Sequence, residues 1–277
     1  MNLAGGRSNG KGMPISASIH PTAIVDPAAR IADGASIGPY CVVGGGVEIG
    51  SGTRLDNGVT VQGNTVIGRD NAISPYAVIG TAPQDLKYKG GDTRVVIGDR
   101  NTIREYVTVN LGTEKGGGLT TVGNDNLLMC TCHVAHDCHV GSGCVISNAV
   151  LLAGHIAIGD CVVLSGAVAI HHFVTVGEYS FIGGMSRVVR DVPPFLVTEG
   201  DPAEARTVNV VGLRRNGFSE ERIAALDDAV RAIFRSGEPM SGTLLKLQSG
   251  AVTPDVARLV AFLKARCDGK HGRANQP

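Results

Sequence analysis

The stretch from residue 122 to residue 188 reads VGNDNLLMCTCHVAHDCHVGSGCVISNAVLLAGHIAIGDCVVLSGAVAIHHFVTVGEYSFIGGMSRV. An aliphatic residue stands at every sixth position, and a small or β-branched residue often follows four positions later. A random position is aliphatic roughly one time in four, so chance does not explain this regularity. Short strands joined by tight turns repeat in this way when successive turns of chain stack and bury the aliphatic side chains. The period predicts an all-β solenoid with inward residues Val122, Leu128, Val134, Val140, Ile146, Leu152, Ile158, Leu164, Ile170, Val176, Ile182 and Val188.

The same rhythm extends towards the N-terminus and is interrupted twice. Aliphatic residues recur at every sixth position over residues 19–79 and again over 97–109. Residues 80–96 and 110–121 break the phase, which predicts two loops inserted into the regular solenoid. Loops that a rigid scaffold positions often carry function. We therefore predict a β-helical domain over residues 15–192 whose two inserted loops contribute to a functional site.

Beyond residue 192 the six-residue pattern gives way to helical signals. Ser219 is a suitable N-cap for an amphipathic helix, and Gly237 is suited to end it. Thr253 and Pro254 begin a second helix that we expect to end near Gly269. Residues 193–277 are thus predicted to form a small α-helical domain that covers the last coil. Residues 1–14 are predicted to be a disordered leader.

The composition excludes several classes of protein. The 277 residues include 39 Gly and no Trp, and 25 basic residues balance 25 acidic ones. Zero net charge predicts no general attraction to nucleic acid or to anionic membranes. The sequence contains no apolar run of about 18 residues and no signal peptide, so we predict no stable membrane insertion and no secretion. Seven Cys without disulfide spacing indicate reduced thiols and a cytoplasmic location.

A cluster of Cys and His at residues 129–138 invites interpretation as a zinc site. In the six-residue frame, however, Cys132, Cys138 and Cys144 occupy the small-residue position that Ala and Val fill elsewhere. They are therefore predicted to point inward as core thiols, and no metal site is predicted.

A set of motifs gives the chain a specific resemblance. In chain order they are HPTAIVDPAARI, IGRDN, QDLKY, RNTIRE, GGGLTTVG, DNLLM, HVAHDC, LAGH, DVPPF and GLRRNGF, within residues 19–236. This order resembles UDP-N-acetylglucosamine O-acyltransferases, which are hexapeptide-repeat transferases, and QDLKY with HVAHDC sets that family apart. The resemblance implies a left-handed parallel β-helix in which three hexads close an 18-residue turn.

The resemblance also implies an activity and partners. A member of this family moves an (R)-3-hydroxyacyl group from acyl carrier protein to the 3-position of UDP-N-acetylglucosamine, which begins lipid A synthesis. It works without a cofactor, as a homotrimer with sites between subunits. The expected partners are therefore acyl carrier protein, the UDP-sugar and two further copies of the chain.

An 18-residue turn brings residues 18 apart onto neighbouring coils. Successive coils lie about 4.8 Å apart, so such residues are close neighbours. One edge is then predicted to gather a His-rich set, namely His136, Asp137, Gly154, His155, His171 and His172. A His can serve as a general base, and an unencumbered Gly N–H beside it can bind an oxyanion. The sequence offers no Ser or Cys nucleophile paired with a base, which favours direct transfer.

The resemblance assigns a role to individual residues. His136 is implied as the catalytic base, Asp137 as its assistant and Gly154 as the donor of the oxyanion N–H. Residues of QDLKY are implied to reach the active site of the neighbouring subunit, and Gly184 to permit a long acyl chain. The implied substrate contacts are Asp85, Lys87, His133, His155, His171, His172 and Arg215.

Some positions depart from the pattern of the family. Asn110 and Leu111 replace a His-Arg pair, and His172 replaces a Gln. Val211 stands where an acid is common, and Asn216 replaces a second Arg. These positions resemble ones that touch or flank the acceptor nucleotide-sugar. An acceptor with an amine at the sugar 3-position is therefore an alternative.

Other classes of protein remain as alternatives. The N-acyltransferase that acts later on a related substrate typically carries an N-terminal uridine-binding domain, for which this chain has no room. A β-helical carbonic anhydrase would hold zinc on three His, and metal analysis would distinguish it. A non-catalytic scaffold is opposed by the row of His residues and the two inserted loops.

Overall fold

The computed structural model describes residues 16–269 and 272–275, so the predicted leader lies outside the described residues. Three sheets form the sides of a β-helix, and their strands are parallel except for the last strand of the first sheet. The first sheet comprises Ser18–Ile19, Ser36–Ile37, Arg54–Leu55, Ala72–Ile73, Thr102–Ile103, Leu127–Leu128, Val145–Ile146, Val163–Leu164, Phe181–Ile182, Leu196–Gly200 and Ala203–Val208. The second comprises Ile24–Val25, Val42–Val43, Thr60–Val61, Val78–Thr81, Thr108–Asn110, His133–Val134, Leu151–Leu152, Ala169–Ile170 and Arg187–Val188. The third comprises Arg30–Ile31, Val47–Ile49, Asn64–Ile67, Arg94–Ile97, Leu119–Val122, His139–Val140, Ala157–Ile158 and Thr175–Val176.

The register of the strands confirms the predicted coil of 18 residues. Ser18 pairs with Ser36, and Val145 pairs with Val163. The step between aligned residues lengthens where the two loops leave the coil, to 30 residues at the first loop and 25 at the second. The strands next to the loops still align, so the insertions do not disturb the stacking.

Both loops leave the coil at the same corner, between the second and third sheets. Pairing continues further into each predicted loop than the sequence pattern indicated, since Thr81 pairs with Asn110 and Arg94 pairs with Leu119. The first loop is therefore residues 82–93 and the second is residues 111–118. The His-rich segment turns at this corner one coil later.

The core is a column of aliphatic side chains with thiols among them. Burying each such side chain contributes roughly 1.5–3 kcal/mol relative to leaving it exposed. Cys132, Cys138 and Cys144 are buried in this column, which confirms the predicted core thiols. Burial raises the pKa of each of these thiols to about 12, so they stay protonated.

A ladder of buried Asn side chains runs along the corner between the third and first sheets. The backbone N–H of Asn101 donates to Oδ1 of Asn71 at 2.9 Å, and that of Asn126 donates to Oδ1 of Asn101 at 3.0 Å. Each Nδ2 also donates to a backbone carbonyl, at Gly98, Gly123 and Gly141 respectively. Below the surface these amides satisfy backbone groups that water cannot reach. The ladder therefore links the coils between which the two loops lengthen the chain, from 18 residues to 30 and 25.

The C-terminal part differs from the predicted domain boundary. The first sheet continues beyond residue 192 through Leu196–Gly200, which pairs with Phe181–Ile182, and through its antiparallel partner Ala203–Val208. These two strands extend the first sheet past the last regular coil, so helices begin only at residue 210.

Four α-helices follow: α1 Val210–Arg215, α2 Glu220–Arg235, α3 Met240–Ser249 and α4 Pro254–Cys267. A 3₁₀ turn, Gly272–Asn275, comes after them. Ser219 and Thr253 cap α2 and α4 through their side chains, as predicted, whereas α1 and α3 were not predicted. Among the described helices, none is both long and apolar enough to cross a membrane.

Replacing Asn101 with Ala tests the ladder. The change leaves the N–H of Asn126 and the carbonyl of Gly123 without partners in a dry interior. Each unsatisfied buried group costs about 1–3 kcal/mol, so the free energy of unfolding should fall by about 3 kcal/mol in urea denaturation. The control is Asn148→Ala at an exposed corner, where a change within ~0.5 kcal/mol is expected. Equal free energies of unfolding for the two variants would contradict a stabilising role of the Asn ladder.

Candidate active site

The candidate site lies at the corner from which the loops emerge. Gly154 sits one coil above His136, and a Cβ at Gly154 would come within 2.4 Å of the His136 ring. The N–H of His155 donates to the carbonyl of His136, and that of Phe173 donates to the carbonyl of Gly154. The predicted alignment of residues 18 apart is therefore present. Only Gly can occupy position 154 without moving the imidazole.

Asp137 organises the corner around its carboxylate. The residue is 2% exposed, and its backbone adopts the left-handed conformation with φ of 59°. The Oγ1 of Thr113 donates to Oδ2 at 2.6 Å, and the backbone N–H of Thr113 donates to Oδ1 at 3.0 Å. Burial alone would raise the pKa of this carboxyl, but hydrogen bonds from His136 and Thr113 outweigh it and lower the pKa. Asp137 is therefore ionised, and the groups hydrogen-bonded to its carboxylate are donors from Thr113 and His136.

The contact between His136 and Asp137 sets the tautomer of His136. Nδ1 of His136 lies 2.9 Å from Oδ2 of Asp137. An ionised carboxylate only accepts hydrogen bonds, so the proton of a neutral His136 stands on Nδ1. Nε2 then carries a free lone pair. This is the arrangement that a general base requires.

The N–H of Gly154 is not free in this structure. It donates to Nδ1 of His172 at 3.1 Å. The prediction of an unencumbered N–H is therefore wrong for this state of the chain, because the His172 ring, one coil further on, accepts from it. A ligand oxygen reaches this N–H only after the His172 ring turns away.

Two cavities meet at this corner. The larger, of about 900 Å³, lies between the two loops and the histidines, and is lined by Gln84, Asp85, Leu86, Lys87, Thr113, Lys115, Gly116, His136, His155, His172 and Phe173. The smaller, of about 360 Å³, is lined by Gln84, His133, Ala135, His136, Leu151, Leu152, Ala153, Gly154, Ala169, Ile170 and His172. Gln84, His136 and His172 border both cavities. A reacting group near Nε2 of His136 is thus accessible from either side.

The first loop approaches the histidines of its own chain. Asp85 and Lys87 line the same cavity as His136 and His155. The loop leaves the coil at the corner at which His136 also lies, two coils away. The contact with a neighbouring subunit that the resemblance implies stays a prediction.

Burial keeps several of the other imidazoles neutral. Burial, with His136 close by, lowers the pKa of His133, whose Nδ1 lies 2.7 Å from Oγ1 of Thr108. Burial also lowers the pKa of His155, whose ring stacks on Phe173 at 4.3 Å between centroids. These rings present polar groups to the cavities without a fixed positive charge.

Other predicted residues lie away from this corner in the single chain. Arg215 is exposed at the end of α1 and lines neither cavity. Gly184 stacks on Gly166 at the opposite corner of the coil, between the first and second sheets, and a Cβ there would fit at 3.4 Å from the Gly166 carbonyl oxygen. His171 lies beside the site, where its Nδ1 accepts from Arg273.

Several of the residues that depart from the family pattern have contacts that stabilise the fold of this chain. Asn110 and Leu111 are buried at the base of the loops, and Leu111 packs against the core. The amide of Asn216 donates to the carbonyl of Gly212 and so closes α1. Val211 is exposed on the same helix. Their side chains border neither cavity in this chain.

Sequence reasoning missed several residues that shape the site. Thr113 holds Asp137, Thr120 accepts the N–H of Asp137 at 2.8 Å, and Gln84 separates the two cavities. Thr113 and Thr120 lie in or beside the second loop, which was predicted to contribute to a functional site but without naming these residues. Their pairing with Asp137 depends on the shape of the loop, which a periodic pattern does not encode.

Comparisons with known proteins place these features in a family context. Residues 191–272 match the second domain of UDP N-acetylglucosamine O-acyltransferase, and residues 46–81 and 119–154 match the bacterial transferase hexapeptide. The chain is 49% identical over 250 residues to an acyl-[acyl-carrier-protein]–UDP-N-acetylglucosamine O-acyltransferase of Synechocystis sp., and 47% identical over 250 residues to one of Gloeothece citriformis. In both comparisons 90% of each chain is covered.

Solved structures agree with these matches. The UDP-N-acetylglucosamine O-acyltransferase of Moraxella catarrhalis is 43% identical with a TM-score of 0.86, covering 92% of this chain and 98% of that chain. The UDP-N-acetylglucosamine acyltransferase of Arabidopsis is 35% identical with a TM-score of 0.81, covering 92% and 99%. The predicted left-handed parallel β-helix with a small helical C-terminal region is confirmed.

One group of potential metal ligands occurs in the described part of the chain. Ligand atoms of His136, Asp137 and His155 all lie within 4.8 Å of one another. Both oxygens of Asp137 already accept hydrogen bonds, and Nδ1 of His136 faces one of them. A metal ion would have to break these contacts, so the residues suit a hydrogen-bonded pair better than a metal centre.

We expect the purified protein to hold much less than one zinc per chain, because its would-be ligands are already paired. Elemental analysis after dialysis measures this, and the acylation rate before and after chelator treatment is the companion measurement. One tightly bound zinc per chain, lost together with activity, would contradict the expectation and favour an anhydrase-like site.

Proposed function

This chain belongs to the family of UDP-N-acetylglucosamine O-acyltransferases, and we propose on that basis how its own residues carry out the reaction. An (R)-3-hydroxyacyl group moves from acyl carrier protein to the 3-hydroxyl of UDP-N-acetylglucosamine, which is the first step of lipid A biosynthesis. One observation carries the assignment of residues. The His136 ring is held by Asp137 on one side and lies against Gly154 on the other.

His136 acts as the general base. Its Nε2 takes the proton of the sugar 3-hydroxyl as that oxygen attacks the thioester carbon. Asp137 keeps the proton of the neutral ring on Nδ1 and stabilises the imidazolium that forms. When the carbon–sulfur bond breaks, the proton on Nε2 passes to the departing thiolate. The products are the acylated nucleotide-sugar and the carrier protein with a free thiol.

Gly154 binds the developing negative charge. Gly154 lies against the His136 ring, so we place an oxyanion bound by its N–H next to the attacking oxygen. Because His172 accepts from this N–H before the reaction, the thioester oxygen replaces the His172 nitrogen. The N–H is therefore never left unsatisfied in the interior.

The two cavities suit two different substrates. The larger cavity combines Asp85, Lys87 and histidines, so it offers hydrogen bonds to sugar hydroxyls and a cation to phosphate. The smaller cavity is bordered by Leu151, Leu152 and Ile170, which suit an acyl chain. His136 stands between them. We assign the acceptor to the larger cavity and the start of the acyl chain to the smaller one.

The remaining proposals concern the oligomeric state of the enzyme and its location in the cell. A homotrimer is supported by Arg215, which lies outside the cavities of its own chain, as expected if it completes the nucleotide site of a neighbour. Sedimentation of the active enzyme measures this state. The reduced thiols of the core and the need for acyl carrier protein support a cytoplasmic location.

An acylation assay tests the function. The enzyme is mixed with (R)-3-hydroxyacyl carrier proteins of several chain lengths and with either UDP-N-acetylglucosamine or its 3-amino analogue. We expect ester product with the hydroxyl acceptor, detected by mass spectrometry, with a preference for long acyl chains because Gly184 adds no side chain. Amide product alone would transfer the activity to the 3-amino sugar, and the absence of both products would refute acyl transfer.

Replacing His136 with Ala tests the base. Turnover should fall by roughly 10²–10⁴-fold, the usual worth of a positioned general base, with little change in KM. The matched control is His139→Ala, because His139 lies three residues later on the third sheet with an exposed ring. Circular dichroism checks that both variants fold. Equal losses in the two variants, or retained turnover without His136, would show that the chemistry lies elsewhere.

A further inference from the structure

The 3₁₀ turn Gly272–Asn275 brings an Arg to the catalytic corner from a distant part of the chain. Nη1 of Arg273 donates to Nδ1 of His171 at 2.8 Å and to the carbonyl oxygen of His172 at 3.2 Å. The two partners lie about a hundred residues earlier in the sequence, at residue separations of 102 and 101. None of the roles assigned above involves this Arg.

Specific contacts hold the turn in place. The backbone N–H of Arg273 donates to Oδ1 of Asp191 at 3.2 Å, and the same oxygen accepts from the N–H of Thr175 at 2.8 Å. Asp191 is buried. Gly272 approaches its carboxylate so closely that a Cβ would overlap it, at 2.0 Å. The turn is therefore fitted to the last coil through a buried carboxylate.

These contacts fix the tautomers of two imidazoles. A guanidinium only donates hydrogen bonds, so Nδ1 of His171 accepts and the ring proton stands on Nε2. The N–H of Gly154 imposes the same tautomer on His172. This is the opposite of His136, whose Nδ1 donates to Asp137. The corner thus holds one basic imidazole and two imidazoles that present an N–H.

The charge of Arg273 favours the same state. Burial lowers the pKa of His172, and the neighbouring His171, His136 and Arg273 lower it further. A neutral His172 keeps the lone pair that accepts from Gly154. Arg273 also holds the His172 carbonyl, which fixes the backbone at this position without contacting the ring through that bond.

We propose that Arg273 is a positioning residue for acyl transfer, which anchors His171 and the backbone of His172 so that only the His172 ring moves when the thioester oxygen takes the N–H of Gly154. The inference rests on the proposed function, because it assumes that Gly154 binds the oxyanion. Arg273 itself acts through the two histidines and touches neither substrate.

Steady-state kinetics of Arg273→Ala test this role. The kcat should fall by about tenfold, a modest loss for a misplaced oxyanion site, while the KM for UDP-N-acetylglucosamine changes less than about twofold. Arg273→Lys keeps the charge and one donor, and should recover part of the loss. The matched control is Arg266→Ala, since Nη1 of Arg266 donates only to the carbonyl of Asp191 among its hydrogen bonds in the described residues. Unchanged kcat in Arg273→Ala, an effect on KM alone, or an equal loss in Arg266→Ala would overturn the proposal.

A double-mutant cycle with His172→Ala tests the route of the effect. If Arg273 acts through His172, adding Arg273→Ala to His172→Ala should lower kcat by less than twofold further. Full additivity of the two losses would overturn the proposal. Thermal unfolding of each variant separates these effects from loss of the fold.

A measurement without substrate keeps the inference separate from the proposed function. Nitrogen-15 NMR of histidine-labelled protein, assigned with His171→Gln, should show an Nε2–H tautomer for His171 in the parent protein and mixed tautomers in Arg273→Ala. An Nδ1–H tautomer in the parent protein would overturn the proposal whether or not the enzyme is active. Failure of the parent protein to acylate the sugar would instead refute the proposed function.

Discussion

The 18-residue step of the coil, lengthened only where the two loops leave it, is the constraint on which the rest of the structure depends. Parallel backbone hydrogen bonds repeat at every strand, so a residue and its neighbours 18 positions away are held a strand spacing apart. His136, Gly154 and His172 form one such column. The base, the oxyanion donor and the residue that occupies this donor are therefore placed by the scaffold and not by flexible segments.

The second loop connects this scaffold to the chemistry through Asp137. Thr113 donates twice to the carboxylate from inside the loop, and Thr120 accepts the N–H of Asp137 as the loop rejoins the third sheet. The orientation of His136 therefore depends on the second loop, because this loop holds the carboxylate of Asp137 that contacts the His136 ring. Burial would disfavour this anion without those donors, so loop conformation and the ionisation of Asp137 are coupled.

Features of the structure that repeat along the chain could be predicted from the sequence, and features that do not repeat could not. The inward column and the core thiols follow from counting six along the chain, and the alignment of His136 with Gly154 follows from the 18-residue turn that the family resemblance implies. The contact of Thr113 with Asp137 does not, because it crosses a loop of irregular shape. Nor does the contact of Arg273 with His171, which joins a 3₁₀ turn to a coil 102 residues away. The occupied N–H of Gly154 was missed because alignment places residues next to each other without specifying which ring nitrogen faces which donor.

The Asn ladder has a consequence for how such a molecule can change over time. Asn71, Asn101 and Asn126 join the coils on either side of both insertions, at the corner between the third and first sheets, from which neither loop emerges. Length differences in the loops are thus absorbed at one corner while the corner with the Asn ladder keeps its alignment. Insertions and deletions in residues 82–93 can alter what the enzyme accepts without shifting the histidine column, whereas residues 111–118 are tied to that column because Thr113 holds Asp137. The scaffold is in this sense insulated from its first loop, and new substrate preferences can arise there with little penalty to folding.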